Sequence, residues 1–450
     1  MKAIGLDIGT TTICGVVIDV EEGDLVDVHT VPNDSAIESV CRLEKIQDTE
    51  RILEICQELL MGYLEKYKDI LCIGITGQMH GIVYIDDNGK AVSPLYTWQN
   101  QSEECLVEEL SNVTGYHMAE GFGLTTYYNH MKAEKVPKTA VSFCTIPDYV
   151  VMALTGRKQV LMHQSMAASL GIYNPRLGGF DKKVIEKAGM DSDMLPEITE
   201  KEIICGEMGG NIPVAVAFGD NQASFLGAID SGSEILLNIG TGSQISAYSD
   251  EIVEGENIEC RPYLGHSFLL VGSALSGGYA YSLVKRFFDE LLSMLDIKCG
   301  ESLYDIMNCM AEKAYREETQ LIVDTRFNGT RKNRRVSGSI TGITSETFHP
   351  GNLVAGVLQG ICEELYGYYK EFPDKVKKNR TFVGSGNGLR KNHLLCKICC
   401  ERFGMDMKIP KHSEEAAYGA ALFSLLSCGK YKKLEEIQRL IKTQFESKRK

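Results

Sequence analysis

The chain has 450 residues, a length typical of two or three domains, and 44% of them are hydrophobic, which is enough for sizeable cores. Its formal net charge of −14 and the lack of a basic stripe argue against nucleic acid and anionic membrane surfaces as partners. No apolar run approaches the roughly 20 residues of a membrane span, and the sequence starts directly in a predicted strand, so we expect a cytoplasmic protein.

The first patterned stretch is a Gly/Thr turn, Leu6-Asp7-Ile8-Gly9-Thr10-Thr11-Thr12, between two runs rich in β-branched residues. An echo with similar flanks follows at Leu237-Asn238-Ile239-Gly240-Thr241-Gly242-Ser243. Each copy predicts strand, tight turn and strand, and each copy alone is also compatible with an ordinary hairpin. Glycine lets a backbone approach a ligand, and the hydroxyl and N–H groups can bind phosphate oxygens. Two copies in the same frame indicate a duplicated pair of domains facing one cleft.

Further elements follow along the first half of the chain. We expect a strand over residues 25–31, a helix over 48–67, a buried strand over 70–75 and a strand over 82–85, which leads to the hairpin signal Asn88-Gly89. Residues 96–175 are rich in aromatic and amide side chains and read as an inserted cap. This composition suits either a polar pocket with ring faces, which sugars prefer, or an aromatic satellite core.

The second half repeats the pattern. A buried strand over 213–218 leads into Gly219-Asp220-Asn221-Gln222 and a small-residue helix, and residues 229–234 form the best domain boundary. We therefore predict an N-terminal domain, 1–230, and a C-terminal domain, 231–450. The latter holds a helix over about 350–370, a strand over 381–383 and a final helix from 414 with a small-residue face.

Candidate chemistry resides in a few polar positions. Asp220, isolated among amides at a strand end, is a candidate general base for a hydroxyl that attacks a phosphoryl group, or else a helix N-cap. Asp7 can hold a hydrated Mg²⁺. Gly384-Ser385-Gly386 can admit a flat base although no Walker motif occurs, and His80 is either a core histidine or a hydroxyl-binding residue. The cysteines at 396, 399 and 400 lie in an apolar helical pattern, which favours packing over metal binding.

These motifs, in this order and spacing, resemble the FGGY carbohydrate kinases over nearly the whole chain. The carriers are Asp7-Ile8-Gly9-Thr10-Thr11, Gly77-Gln78-Met79-His80-Gly81, Gly219-Asp220-Asn221-Gln222, Asn238-Ile239-Gly240-Thr241-Gly242, Gly384-Ser385-Gly386 and Glu415-Ala416-Ala417-Tyr418-Gly419-Ala420-Ala421. Within the family the chain is most similar to the sedoheptulokinases. That likeness rests on Thr97-Trp98-Gln99, Gly121-Phe122-Gly123, Asp148-Tyr149-Val150-Val151 and Gln164-Ser165-Met166-Ala167-Ala168-Ser169.

The resemblance implies an α/β fold of two ribonuclease-H-like, actin-like ATPase domains, each a mixed sheet flanked by helices, with a cleft between them that binds ATP, Mg²⁺ and a sugar. It implies Asp220 as the catalytic base and Asp7 as the residue that serves Mg²⁺ through water. The residues implied for the sugar are Gln78, Met79, His80, Trp98 and Asn221. Those implied for the nucleotide are Thr10, Thr11, Thr12, Gly240, Thr241, Gly384, Gly386 and Asn392.

The leading hypothesis is therefore an ATP-dependent kinase that phosphorylates the terminal hydroxyl of a ketose, sedoheptulose first. Position 221 is Asn, as in xylulokinases, which keeps xylulose and other pentuloses or polyols open as substrates. A longer spacing between Gly386 and Asn392 than in many relatives bears on the adenine site. A non-catalytic sugar sensor and a protein-directed ATPase are the other classes. A monomer and a homodimer are both compatible with the sequence.

Overall fold

The computed structural model describes the chain except residues 103, 298, 300, 301, 318–320, 332, 334, 379 and 448–450, and it describes residues 104 and 445–447 by backbone alone. The described residues cluster into two compact units. The first unit comprises Met1–Asp230, Arg261–Phe268 and Glu414–Ile441, and the second comprises Ser231–Cys260, Leu269–Ser413 and Lys442–Lys450. In the part of the chain that the structure describes, no helix is both long enough and apolar enough to span a bilayer.

The strands are short to medium in length. In chain order they are β1 (Lys2–Ile8), β2 (Thr12–Asp19), β3 (Leu25–Pro32), β4 (Ala36–Ile37), β5 (Ile46–Gln47), β6 (Ile70–Gly77), β7 (Val83–Ile85), β8 (Leu95–Tyr96), β9 (Ser142–Cys144), β10 (Leu161–His163), β11 (Tyr173–Asn174), β12 (Gly179–Phe180), β13 (Glu197–Thr199), β14 (Ile204–Met208), β15 (Ile212–Ala215), β16 (Phe218–Gly219), β17 (Glu234–Ile239), β18 (Ser243–Ser249), β19 (Glu259–Pro262), β20 (Phe268–Ala274), β21 (Ile322–Asp324), β22 (Ser339–Thr341), β23 (Thr381–Ser385), β24 (Met407–Pro410) and β25 (Thr443–Ser447).

The helices lie between these strands. In chain order they are α1 (Thr49–Lys66), α2 (Glu104–Thr114), α3 (Gly123–Lys132), α4 (Ile146–Thr155), α5 (Gln164–Ala167), α6 (Lys182–Lys187), α7 (Asp220–Ala228), α8 (Gly277–Met294), α9 (Leu303–Arg316), α10 (Pro350–Glu371), α11 (Asp374–Lys377), α12 (Asn387–Arg390), α13 (His393–Phe403), α14 (Glu415–Ser427) and α15 (Leu434–Gln438). Two 3₁₀ turns, Ala168–Leu170 and Ser192–Met194, are also present among the described residues.

Each unit is built on a mixed sheet with the same central arrangement. The first sheet has the order β14-β15-β6-β1-β2-β3, and the second has the order β19-β20-β18-β17-β23-β24-β25. In the first, β1 pairs antiparallel with β2 and parallel with β6; in the second, β17 pairs antiparallel with β18 and parallel with β23. The two α/β units therefore repeat one hairpin-plus-parallel-strand core, which confirms the predicted fold class.

Helix α14 comes late in the chain but packs in the first unit. A Cβ added to Gly5 or Gly74 would lie 1.8 Å from a backbone carbonyl of α14, and one added to Gly419 would lie 1.8 Å from the Ala223 carbonyl on α7. Backbones can approach this closely only where side chains are absent. The small-residue face of α14 thus binds the glycine-lined surface of β1, β6 and α7, and part of the predicted second domain, 231–450, lies in the first unit.

Most predicted elements are present with small changes of length. The helix expected over 48–67 is α1, the helix over 350–370 is α10, and both Gly/Thr turns join paired strands. The strand expected over 213–218 is divided into β15 and β16, which both pair with β6. The turn at Asn88-Gly89 forms, but β7 takes β9 as its partner, and only an isolated bridge follows the turn.

The second unit has a hydrophobic core between its sheet and helices. Buried residues of α10 and α13 meet those of β17 and β23, including Leu237, Leu365 and Phe382. Cys396, Cys399 and Cys400 are fully buried on α13. Among the described residues no group of three or more His, Cys, Asp or Glu side chains has an arrangement suited to a metal.

Candidate active site

Two aspartates from distant parts of the sequence come together at one sheet edge of the first unit. β1 and β16 both run parallel to β6, where Asp7 pairs with Thr76 and Gly219 pairs with Gly77. Because parallel strands end at the same edge of a sheet, Asp7, Gln78 and Asp220 all emerge there. The negative charge of Asp220 contributes to raising the pKa of Asp7, as expected for two carboxyl groups at one edge of the sheet.

Asp220 is held at a well-anchored strand-to-helix junction. It is the first residue of α7, and the N-cap position belongs to Gly219. The interpretation of Asp220 as an N-cap is therefore wrong, because the helix begins one residue earlier than that reading requires. The Thr76 hydroxyl donates to the Phe218 carbonyl (2.6 Å), and the Gly219 N–H donates to the Ser165 hydroxyl (3.0 Å). These bonds fix the backbone from which the Asp220 carboxylate projects.

Asp7 lies in an environment that disfavours a lone negative charge. A small part of this residue stays exposed, but burial, together with the charges of Asp220 and Glu414, raises the pKa of Asp7 to about 7. Carboxylates that repel one another in a partly buried site suit a divalent cation, whose charge reverses this effect. Mg²⁺ usually keeps several waters and binds through one or two carboxylates, so this oxygen donor set fits it.

The backbone carbonyl groups of the first Gly/Thr turn accept hydrogen bonds from neighbouring residues of the first unit. The Asn33 side-chain amide donates to the Gly9 carbonyl (2.8 Å), the Gln47 amide donates to the Thr10 carbonyl (2.9 Å), and the Asn33 backbone N–H donates to the Thr11 carbonyl (2.9 Å). In a trans peptide the N–H group points opposite to the C=O group. The N–H groups of Thr10, Thr11 and Thr12 therefore point away from the Asn33 and Gln47 groups that bind the carbonyls. A phosphate-binding turn requires N–H groups that are directed in this way.

The carbonyl groups of the second Gly/Thr turn also accept hydrogen bonds, here from the start of a helix in the second unit. The backbone N–H groups of Gly278 and Tyr279, at the start of α8, donate to the carbonyls of Gly240 (2.8 Å) and Thr241 (2.9 Å). A Cβ at Gly278 would lie 2.4 Å from the Gly240 carbonyl, whereas one at Gly240 would meet no described atom within 4 Å. The glycines thus allow the helix to approach the turn on one side and leave open space on the other.

Residues predicted to bind the sugar lie in the first unit. His80 has a positive φ of 73°, its ring stacks on Phe122 with centroids 5.0 Å apart, and its Nδ1 lies 2.6 Å from the Ser169 carbonyl. A carbonyl only accepts, so in the neutral ring the proton sits on Nδ1 and Nε2 carries the lone pair. Met79 is buried beside this histidine. The geometry suits recognition of a hydroxyl group.

Trp98, Gln78 and Asn221 complete the predicted sugar set. Trp98 is 46% exposed, and its indole N–H donates to the Thr10 hydroxyl (2.9 Å). That hydroxyl donates in turn to Gln78 Oε1 (3.3 Å). Asn221 is buried in the first turn of α7, next to Asp220. An exposed ring face beside fixed amides is a surface on which a polyhydroxylated ligand can stack and form hydrogen bonds.

The residues predicted for adenine have different local roles. Gly386 has a φ of 80°, and a Cβ there would lie 2.7 Å from Asn238 Oδ1, so this glycine lets the β23–α12 turn approach the second Gly/Thr turn. Gly384 lies on β23 against Ile409. Asn392 is the N-cap of α13: its Oδ1 accepts from the Leu395 N–H (2.9 Å), and its Nδ2 donates to Asn308 (2.9 Å). Asn392 therefore stabilises the helix next to the turn.

Several residues important for this geometry lack a motif in the sequence. Asn33 and Gln47 anchor the first turn but stand in short polar stretches with no distinctive spacing. Ser165 and Ser169 lie in one of the segments that carry the family resemblance. Their hydrogen bonds to Gly219 and His80, however, depend on tertiary structure. Glu414 ends the linker before α14, and only the return of that helix to the first unit brings its charge near Asp7.

Comparison with known proteins gives a consistent result. The sequence models of the FGGY family of carbohydrate kinases match residues 2–227 (N-terminal domain) and residues 239–428 (C-terminal domain). Sedoheptulokinase from Homo sapiens is 26% identical over 94% of this chain and 97% of its own length. Xylulose kinase from Rhodospirillum rubrum superposes with a TM-score of 0.86 at 18% identity, over 100% of this chain and 94% of that one. Plasmodium falciparum glycerol kinase with ADP superposes with a TM-score of 0.80 at 18% identity, over 98% and 92% of the two chains.

Proposed function

The chain belongs to the FGGY family of carbohydrate kinases, and on that premise we propose that it transfers the γ-phosphoryl group of ATP to the terminal hydroxyl of a ketose. One observation carries the proposal beyond the family level. Asp7 and Asp220, which lie far apart in sequence, come together where β1 and β16 end, beside a turn whose N–H groups point outward. A base and a phosphate-binding turn are the groups that this reaction requires.

Asp220 acts as the general base in this proposal. Its carboxylate accepts the proton of the sugar hydroxyl as that oxygen attacks the γ-phosphorus, and the bond from phosphorus to the ADP oxygen breaks. A positioned base typically contributes ~10²–10⁴-fold, and the remaining rate enhancement comes from positioning and charge neutralisation. Thr10, Thr11 and Thr12 bind the transferred phosphoryl group, while Gly240 and Thr241 bind the other phosphates through backbone N–H groups.

The nucleotide and the metal follow from the same premise. In this proposal the adenine lies against the turn that contains Gly384 and Gly386, and Asn392 caps the helix that follows this turn. When bound, Mg²⁺ would neutralise charge on the phosphates, and Asp7 would hold it through water. The donor chemistry of Asp7 with Asp220 suits this ion.

The proposed sugar is sedoheptulose. The support is the likeness to human sedoheptulokinase over nearly the full length of both chains and the exposed Trp98 ring, against which a seven-carbon chain can lie. His80 accepts from one sugar hydroxyl, and the Gln78, Met79 and Asn221 side chains fix the others. A second candidate is D-xylulose, since Asn221 matches the xylulokinase pattern and solved xylulose kinases share the fold. A sugar sensor without activity is disfavoured, because a sensor has no need of a base beside its ligand.

The Asp220→Asn variant tests the role of the base. Asn keeps the size of the side chain but cannot take up the proton, so we expect kcat to fall by ~10²-fold or more while sugar and ATP still bind. Binding can be followed by the fluorescence of Trp98, the chain's single tryptophan. Asp87→Asn, at an exposed turn of the same unit, is the matched control. Turnover by Asp220→Asn within a few-fold of that control would remove Asp220 as the base.

A further inference from the structure

Three residues of the first unit, Thr10, Gln47 and Gln78, form a closed ring of hydrogen bonds, and a fourth residue, Trp98, is attached to it. Gln47 Nε2 donates to the Thr10 carbonyl (2.9 Å), Gln78 Nε2 donates to Gln47 Oε1 (2.8 Å), and the Thr10 hydroxyl donates to Gln78 Oε1 (3.3 Å). The Trp98 indole N–H joins at the Thr10 hydroxyl (2.9 Å). We name Thr10, Gln47 and Gln78, with Trp98 attached, the Gln47 ring.

The hydrogen bond from Gln47 to the Thr10 carbonyl determines the direction of every other bond in the Gln47 ring. The Thr10 carbonyl can only accept, so the amide nitrogen of Gln47 must face it and the amide oxygen must face Gln78. That oxygen requires the nitrogen of Gln78, which turns the Gln78 oxygen toward the Thr10 hydroxyl. A flip of either amide would place two donors or two acceptors against each other. The ring therefore has one favourable arrangement, and Gln47 sets it.

Burial makes this arrangement stable. Gln47 is 4% exposed and Gln78 is 5% exposed, so neither amide can readily exchange its partner for water. Gln47 lies on β5, which pairs with β8 through Gln47 and Leu95, so the strand that carries Gln47 also fixes the segment that leads to Trp98. Polar groups buried this deeply stay hydrogen-bonded, because an unsatisfied partner is costly.

We propose that Gln47 is a positioning residue that holds the first phosphate-binding turn in register with the sugar-binding side chains. This inference rests on the proposed function, in which Thr10 binds the transferred phosphoryl group while Gln78 and Trp98 bind the sugar. Gln47 touches neither substrate in that scheme. It joins the backbone of one binding element to the side chain of the other, so the attacking hydroxyl and the phosphorus are aligned through it.

The expected kinetic effect follows from the sensitivity of phosphoryl transfer to alignment. A displacement of about 1 Å by a mutation away from the chemistry can cost ~10²-fold in rate. Gln47→Leu removes both bonds of the amide, so we expect kcat to fall at least ~10-fold and the KM for the sugar to rise several-fold.

Gln47→Glu separates the two contacts. A carboxylate still accepts from Gln78 Nε2, but it faces the Thr10 carbonyl with an acceptor instead of a donor. We therefore expect the KM for the sugar to stay within about 3-fold of wild type while kcat falls at least ~10-fold. Loss of folded protein alone would also lower the apparent kcat at an unchanged KM, so each kcat is divided by the folded fraction obtained from the melting curve before the variants are compared.

Thr49→Val is the matched control. Thr49 lies two residues away, is 3% exposed and donates to the Ser93 carbonyl (3.3 Å), so it has similar burial and one backbone contact but no contact with the turn. We expect its kcat and KM to stay within about 2-fold of wild type, since it leaves the alignment of the turn intact. Melting temperatures of all variants show whether each is folded.

Trp98 emission provides a readout that needs no activity. Trp98 is the chain's single tryptophan and donates to the Thr10 hydroxyl. Gln47→Leu removes the anchor of the Thr10 carbonyl, so we expect Thr10 to shift, the indole N–H to exchange Thr10 for water, and the emission to move to the red. Thr49→Val should keep the wild-type spectrum. An unchanged Trp98 spectrum in Gln47→Leu, or kinetics that match those of Thr49→Val, would overturn the inference. Absence of phosphoryl transfer by the wild-type enzyme would instead overturn the proposed function.

Discussion

Asp148 is a carboxyl group buried in the first turn of α4, and its replacement by Asn tests how strongly its ionisation opposes folding. The side chain is 1% exposed; its Oδ2 accepts from the hydroxyl of the N-cap Thr145 (2.6 Å), while Oδ1 has no hydrogen-bond partner among the described residues. Burial raises the pKa of Asp148 to about 7, although the bonds from Thr145 oppose the rise. Asn keeps the shape and the Thr145 bond and cannot ionise.

The direction of the pH dependence follows from the difference between the pKa of Asp148 in the folded and in the unfolded chain. The folded pKa of about 7 lies above the ordinary value of 3.8, so between these values the folded protein holds a proton that the unfolded chain releases. Stability is then full below pH 3.8 and falls as the pH rises toward 7. Each pKa unit corresponds to 1.36 kcal/mol, so from pH 5 to pH 8 the loss is roughly 2.5 kcal/mol, most of it below pH 7. Asp148→Asn lacks this dependence.

Urea unfolding at pH 5, 6, 7 and 8, followed by the emission of Trp98, measures the effect in the unit that contains Asp148. The difference in the free energy of unfolding between Asp148→Asn and wild type should rise by roughly 2.5 kcal/mol over this range. Any constant offset from an unpaired amide cancels in that comparison. Asp191→Asn, at an exposed N-cap, is the matched control for the exchange of a carboxyl group for an amide. Parallel curves for Asp148→Asn would refute the reasoning.

Four further predictions concern the first unit. Gly419→Ala places a Cβ 1.8 Å from a carbonyl of α7, so we expect a loss of at least about 3 kcal/mol or insoluble protein. Gly62→Ala, on the exposed face of α1, should instead stabilise by about 0.5–1 kcal/mol in the same urea assay. Burial lowers the pKa of His163 to about 3, so wild-type stability falls as the pH drops below 6.5, and His163→Asn should weaken that dependence. Trp98→Phe should raise the KM for the sugar several-fold without lowering the melting temperature, because the ring is half exposed.

Local features of the fold were predictable because their causes are local. The two Gly/Thr hairpins, α1 and α10 follow from alternating or helical apolar patterns that need no distant partner. The place of α14 was not predictable in this way. Its small-residue face fits any glycine-lined surface, and nothing in the strands around Gly5 and Gly74 marks them as that surface before the sheet has formed.

In the candidate site too, residue types are predictable from the sequence, whereas their spatial arrangement is not. Asp7 and Asp220 were singled out as residues, but their proximity depends on β1 and β16 both pairing with β6, a long-range choice of register. Gln47 escaped notice because an isolated Gln has no characteristic spacing, and its importance lies in hydrogen bonds to residues far away in sequence. The family motif indicates a nucleotide-binding role for Asn392, and in the structure its side chain caps the N-terminus of α13. Whether it also contacts adenine stays a prediction.

The central claim is tested most directly by an assay that couples ADP release to a detectable reaction, with Mg·ATP and a panel of sedoheptulose, D-xylulose, L-ribulose, gluconate and glycerol. We predict phosphorylation with the highest kcat/KM for sedoheptulose, and loss of that activity in Asp220→Asn. A preference for D-xylulose would keep the mechanism and change the sugar. Failure to phosphorylate any hydroxyl compound, while ATP and a sugar both bind, would contradict the account.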